Sequence, residues 1–463
     1  MQAVNNDTLM IHVIILLILL SCYFVRSYKI MLPLPKLYMI MFKKVFATFT
    51  GIMFATLVWS EPDVRAVFYA DGAEEKEQYR SHNALEAVES GASVVYATNG
   101  VDLYLTRMRM SKTSGSISGA DHRVTGMNSV ILADGGSKVM LDACDVNSHT
   151  PEADGVSSSG DGTVVTVMNG SLNMSRAGSA AVNATNKGKI EVVKANVVTY
   201  SNQSPSFYAG SEGVVEVTEA KGDNGGQASP LFYSSSGNIK AEKCRMSAGK
   251  WTIGSVDNGL IELNDNELKA GSVCGFLVYG ADGKDRERRS SGKLILKNNN
   301  ITVTEGPLLF VTNAMGEISL SGNKISCRND EIICIKADEW GVKGSNQGQG
   351  TIDVEKQTLK GDIYVDSIST LKLVLNKGAK LNGSITGMPS DRREVRVTMG
   401  KGSVWTVKGD VYLTDIMFEQ PIEKGLKQIK GKHVIYYDPD LSTGLGGKEY
   451  KTGGGVLKPM KRQ

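Results

Sequence analysis

From residue 101 onward one pattern of apolar and polar positions recurs along the chain. Each repeat opens on a residue that is usually a Gly or follows one. Apolar side chains follow two and four positions later, a small or amide residue seven later, and usually another apolar residue nine later. The starts fall at Val101, Ser137, Thr163, Gly188, Gly213, Gly237, Gly259, Gly292, Gly316 and Gly350, a basic period of 22 to 26 residues with three longer intervals. The second position reads Leu103, Val139, Val165, Ile190, Val215, Ile239, Ile261, Leu294, Ile318 and Ile352. The fourth reads Leu105, Leu141, Val167, Val192, Val217, Ala241, Leu263, Leu296, Leu320 and Val354, so all twenty are apolar. Interleaved with them stand Lys189, Glu191, Glu216, Lys240, Glu262, Glu317 and Asp353, with Tyr104, Met140 and Ile295 among the apolar exceptions. Alternation with period two predicts a strand with one dry and one wet face in every repeat.

The seventh position carries Met108, Cys144, Gly170, Ala195, Ala220, Cys244, Asn266, Asn299, Asn323 and Gln357. The run of Asn fits either a stacked amide ladder at a sharp corner or the ordinary preference of Asn for turns. A second strand is expected at the ninth position (Val146, Leu172, Val197, Met246, Leu268, Ile301, Ile325, Leu359), broken only by Gly222. A third lies about six residues before the next start, as in Phe207-Tyr208, Phe232-Tyr233 and Leu309-Phe310. Three strands per repeat describe one turn of a coil, and stacking such turns pairs each strand with its copies above and below. The fold class predicted is all-β, a right-handed parallel β-helix of ten or more turns, with a rod on the order of 48 Å from about 4.8 Å per turn. A helical-repeat solenoid would need a 3.6-residue period, which these segments lack.

The ends read differently. Residues 67–100 are expected to form an N-terminal cap with a first imperfect turn, because stacked repeats need covered ends. Residues 361–463 are expected to hold irregular C-terminal turns and a tail. Residues 41–66, MFKKVFATFTGIMFATLVWSEPDVRA, show the basic start, apolar centre and small-residue exit of a secretory signal. Residues 1–40 then read as an over-extended start or the first half of a bipartite signal. Cys22 sits in a box like that of lipoproteins but lacks a basic segment before it. Export is the expectation.

Composition narrows the function classes. Lys+Arg 52 against Asp+Glu 49 leaves a formal charge of +3, without the basic excess a nucleic-acid binder uses. With Gly 51 and 41% hydrophobic residues the chain is folded and rich in corners.

Several segments resemble a known family. The rungs themselves, Leu371 to Gly387 (LKLVLNKGAKLNGSITG) and Gly402-Ser403-Val404-Trp405-Thr406-Val407-Lys408-Gly409-Asp410 followed by Val411-Tyr412-Leu413 are similar to the late part of bacterial autotransporter passenger domains. The tail, with Tyr436-Tyr437-Asp438-Pro439, Leu445-Gly446-Gly447-Lys448-Glu449-Tyr450 and Gly453-Gly454-Gly455-Val456, resembles passengers of α-proteobacteria that live in host vessels. The resemblance implies a secreted or outer-surface β-helix, exported through the periplasm, that acts in host-cell adhesion or as a ligand of a host receptor. Its implied partner is a host cell-surface protein or glycan. Family members normally continue into an outer-membrane β-barrel translocator, and no alternating barrel strands follow here.

The candidate chemistry is sparse. Glu191, Glu216, Lys240 and Glu262 should stack on one face, where paired carboxylates could bind calcium or share a proton, or simply keep the surface solvated. No Arg or His stands in that column to act as a base, so an enzyme is not expected; a β-helical polysaccharide lyase or glycoside hydrolase is the alternative. Gly115-Ser116-Ile117-Ser118-Gly119 has the spacing of a nucleophile elbow, near His122, without the strand-to-helix setting. The five His lack zinc spacing, and no metal or other cofactor is expected. Cys327 and Cys334 flank a short loop and could pair or remain buried thiols. Lys-Gly-Asp occurs at 221–223, 360–362 and 408–410, a tripeptide that some cell-surface receptors recognise. The densest charge lies in the insertion Asp282 to Arg289, and its Asp285, Arg286, Arg288 and Arg289 form the candidate contact for an acidic partner such as a sulfated glycan.

Overall fold

Alternating side chains bury only if each turn lies flat on the next, and that is the arrangement found. In the computed structural model, which describes residues 65–117, 122–281 and 290–460, the described chain is a β-solenoid. The strands form one sheet of 13, a second of 14 and a third of 10, followed by a fourth and a fifth of four strands each. Successive strands of one sheet are one turn apart in sequence, as in Val164–Met168 on Lys189–Val193 on Val214–Thr218. The ladders are parallel apart from the closing pair Tyr450–Lys451 against Val456–Pro459. Fourteen stacked strands in the second sheet give a rod of roughly 60 Å.

The register matches the sequence pattern side chain for side chain. Ile190 pairs with Val215 and Val215 with Ile239, and all three are fully buried. Each such residue contributes about 1.5–3 kcal/mol by leaving water. The third column divides in two: Phe207 and Phe232 point inward and stack with ring centres 5.3 Å apart, while Tyr208 and Tyr233 point outward. Gly222, the one break in the ninth column, has φ 153°, and a Cβ there would meet the Val197 carbonyl oxygen at 1.7 Å. Only glycine fits that close approach.

The corner between the second and third sheets has a feature the sequence did not announce. The residue just before the seventh position is left-handed at every turn: Arg107, Ala143, Asn169, Lys194, Glu219, Lys243, Asp265, Asn298, Gly322 and Lys356 all have φ between 47° and 66°. Only one is glycine. The strain at the nine non-glycine corners is overcome because the amide of each donates to the next turn, as Lys194 N does to the Thr218 carbonyl at 3.0 Å and Glu219 N to the Glu242 carbonyl at 3.0 Å.

Inside that corner the amide ladder is real. Asn266 N and Nδ2 both donate to Asn299 Oδ1, at 3.0 and 2.9 Å. Asn299 repeats the pattern onto Asn323 Oδ1 at 3.0 and 2.9 Å, and Asn323 onto Gln357 Oε1 at 2.7 and 3.1 Å. Ordinary turn preference does not account for side chains bonded in series.

Residues 67–100, expected to hold a cap with a first imperfect turn, carry a turn with a strand in each of the three sheets. Ala66–Asp71, Glu77–Ser81 and Ala84–Ala87 pair in register with Ser93–Thr98, Asp102–Thr106 and Arg109–Lys112. The pattern hid this because Gln78 and Arg80 occupy the usually apolar positions, so backbone pairing, with Phe68 and Leu85 against the core, carries the turn. The segments read as a signal and leader, 1–40 and most of 41–66, lie outside the described residues.

Candidate functional site

The three long intervals in the repeat all open at the first sheet. One precedes it, between the strands Arg109–Lys112 and Ile131–Ala133; two follow it, between Phe276–Tyr279 and Ser290–Lys297 and between Glu331–Ile335 and Gln349–Glu355. Elsewhere the chain passes from sheet to sheet in a few residues. The insertions therefore leave and rejoin the repeat next to first-sheet strands.

The first of them lays the short helix His122–Thr125 over the first sheet. Arg123 Nη2 donates to the Gly178 and Gln203 carbonyls at 3.0 and 2.7 Å, and Asn183 Nδ2 donates to the Arg123 carbonyl at 2.9 Å. The guanidinium carbon lies 5.4 Å from the centre of the Tyr208 ring. From there an aromatic strip runs along the sheet. Tyr208 meets Tyr233 edge to face at 5.4 Å, the Tyr233 and Tyr279 hydroxyls are 3.0 Å apart, and Tyr279 packs against Trp340 of the last insertion at 5.3 Å. Burial pushes the phenols of Tyr208, Tyr233 and Tyr279 above their ordinary range, so they remain neutral hydroxyls at physiological pH. Ring edges, neutral hydroxyls and one guanidinium suit recognition of a flat ligand with polar groups and apolar faces.

A second aromatic column is more open. On the second sheet Tyr79 and Tyr104 stack with rings 4.8 Å apart, and Met140 follows on the next strand; they are 66%, 37% and 38% exposed.

Comparison with protein-family models, curated proteins and solved structures returns no match. The solenoid is established by its geometry alone.

The acidic column expected from sequence is present and bridged by lysines. Glu191 faces Glu216 on the adjacent strand, and Lys189 Nζ reaches both, at 2.7 and 2.9 Å. The hydrogen bond to Glu191, then that to Glu216, raises the lysine pKa. Lys240 pairs with Glu262 at 3.9 Å. Among the described residues no group of three His, Cys, Asp or Glu converges as a metal site.

The remaining candidates serve the fold where they are described. Ser116 is exposed, Ser118 and Gly119 lie outside the described residues, and His122 Nε2 hydrogen-bonds the Gly178 carbonyl at 2.8 Å. The Asp of each Lys-Gly-Asp is tied to the next turn: Asp223 accepts from the Ser247 hydroxyl, Asp362 from Ser384 N at 2.7 Å and Asp410 from Val434 N at 3.0 Å. Cys327 and Cys334 are not bridged, and all five described cysteines are free thiols; Cys327 ends a third-sheet strand with Sγ against the Gly306 carbonyl, whereas Cys334 sits within the following first-sheet strand. Asp285, Arg286, Arg288 and Arg289 lie outside the described residues. Sequence reasoning missed the aromatic strip because it counted Phe207-Tyr208 and Phe232-Tyr233 as one apolar patch, though strand alternation already separates the inward Phe from the outward Tyr.

Proposed function

We propose that this chain is an exported β-solenoid that binds a protein or glycan at the surface of a host cell, in the manner of an autotransporter passenger, and is not an enzyme. The observation that carries the reading is the strip Tyr208, Tyr233, Tyr279 and Trp340 on the first sheet, the sheet at whose strand ends the three long intervals of the repeat open. A rigid scaffold with variable loops on one side is how solenoids present binding surfaces. The signal-like layout of residues 41–66 supports export, and the resemblance of residues 371–413 to passenger domains supports an outer-surface or released destination reached through the periplasm. The charged segment Asp282 to Arg289, read from the sequence, adds an electrostatic term suited to acidic partners.

The test is attachment of the purified chain to host cells and to immobilised heparin. Reversing Arg286, Arg288 and Arg289 to Glu should weaken attachment and flatten its salt dependence, and Trp340→Ala should weaken it independently. Attachment unchanged in both variants would refute the reading. Unsaturated products released from pectin or another uronate would refute its non-enzymatic part.

A further inference from the structure

The ladder of the third sheet is interrupted at one place. The strand Lys324–Cys327 closes that sheet and Thr358–Lys360 opens the fourth, and the two do not pair. On either side the turns stay joined. The first-sheet strands Glu331–Ile335 and Asp362–Val365 pair, as do the second-sheet strands Ala314–Ser321 and Gln349–Glu355. The result is a slot of about 520 Å³ in the wall of the rod, lined by Lys324, Ile325, Ser326, Cys327, Thr358 and Lys360.

Its cause is a single methylene. At the turns above, the backbone carbonyl of each corner Asn accepts from the first amide of the next strand, as Asn266 O does from Asn300 N at 2.7 Å and Asn299 O from Lys324 N at 2.7 Å. At the next turn the corner residue is Gln357, and its longer side chain delivers Nε2 to the Asn323 carbonyl at 2.8 Å. The side-chain amide takes the place of the backbone amide, and the strand behind it is held off. The ladder closes again at Asp362 N, which donates to the Asp330 carbonyl at 2.7 Å.

Two consequences point to an occupant. The facing edges of the two strands present backbone N–H and C=O groups without strand partners, an arrangement that an added strand satisfies. The core column is also uncovered here: Val146, Leu172, Val197 and Ile301 are fully buried, whereas Ile325 and Cys327 are only partly buried. Lys324 and Ser326 on one rim, and Thr358 and Lys360 on the other, point outward with the strand alternation. A guest strand would place one side chain inward over Ile325 and the two flanking it outward between the lysines.

We propose that the slot between Lys324–Cys327 and Thr358–Lys360 binds a short extended peptide segment of a partner protein with the pattern acidic, apolar, acidic. Backbone pairing supplies the register, the Ile325 floor selects the central side chain, and Lys324 and Lys360 select the flanking carboxylates. A sulfated oligosaccharide would meet the lysines, and its hydroxyls can donate to carbonyls, but it lacks the alternating N–H and C=O spacing of a strand that both edges match.

The experiment is fluorescence polarisation of the full chain with a labelled acetyl-Glu-Val-Glu-Val-Glu-amide. Saturable binding is expected, with a loss of at least about tenfold for Lys324→Glu with Lys360→Glu. A similar loss is expected for a peptide N-methylated at its central residues, since it cannot donate to the strand edges. Gln357→Asn should close the slot and abolish binding while the circular dichroism melt stays cooperative. Absence of saturable binding, equal binding of the N-methylated peptide, full binding to Gln357→Asn, or displacement by a heparin-derived oligosaccharide would each overturn the proposal. No cells enter this assay, so its failure leaves the attachment reading standing.

Discussion

The amide ladder offers the sharpest test of how the solenoid is held together. Asn299 sits at its middle: its Oδ1 accepts from Asn266 N and Nδ2, and its Nδ2 donates to Asn323 Oδ1 and to the Leu263 carbonyl at 2.8 Å. Asn299→Ala therefore strands the buried Asn266 N and takes the side-chain donor from the Leu263 carbonyl, while Asn266 Nδ2 keeps the Ala241 carbonyl at 3.0 Å and Asn323 Oδ1 keeps the backbone amide of residue 299. Each unsatisfied buried group costs about 1–3 kcal/mol, and water entering a small corner recovers part of it. An overall loss of about 2–4 kcal/mol follows. Urea unfolding followed by far-ultraviolet circular dichroism would read this as a lower midpoint. Asn300→Ala, one residue on but facing solvent, is the control and should lie within about 0.5 kcal/mol of the parent. A ladder variant as stable as that control would refute the account, because the amides would then be exchanging one adequate partner for another.

Other perturbations have expected outcomes of different sign. Lys112 is buried and its Nζ donates to the Glu89 and Ala92 carbonyls; burial lowers its pKa to about 8. Because the unfolded chain holds that proton up to a pKa of about 10.4, the parent should gain stability relative to Lys112→Met as pH rises from about 8 to 10. The gain should be on the order of 1 kcal/mol per pH unit, and paired urea titrations across that window showing a constant difference would contradict it. Glu191→Gln with Glu216→Gln should change stability by less than about 0.5 kcal/mol, since their lysine bridge is half-exposed. Calcium should not shift the parent's thermal midpoint; a calcium-dependent rise would make the acidic column a metal site. Phe232→Ala removes a fully buried ring from the Phe207 stack and should cost about 3–5 kcal/mol; a shift under about 1 kcal/mol in the same assay would mean the interior collapses around the hole.

What the sequence by itself determined is the coil. A period of two within strands and of about two dozen residues between them leaves aliphatic side chains such as Ile190, Val215 and Ile239 no burial except in a common interior column, so the pairing register follows from the hydrophobic effect. The insertions were legible as interruptions of that period. Only the tertiary structure decided the rest, because those features depend on partners one full turn away. Lys194 and Glu219 have no intrinsic preference for a left-handed backbone, and they adopt it because the turn beyond holds their amides. The first turn carries polar Gln78 and Arg80 where apolar residues were expected, and it is a turn only through its pairing with Asp102–Thr106. The aromatic strip joins Tyr208 to Trp340 across more than a hundred residues, a proximity no local pattern encodes. At Gln357 one methylene more than Asn let a side chain displace a backbone hydrogen bond and opened the wall of the rod. Local pattern fixes which way a side chain faces, whereas the stacking of distant turns fixes what it meets there.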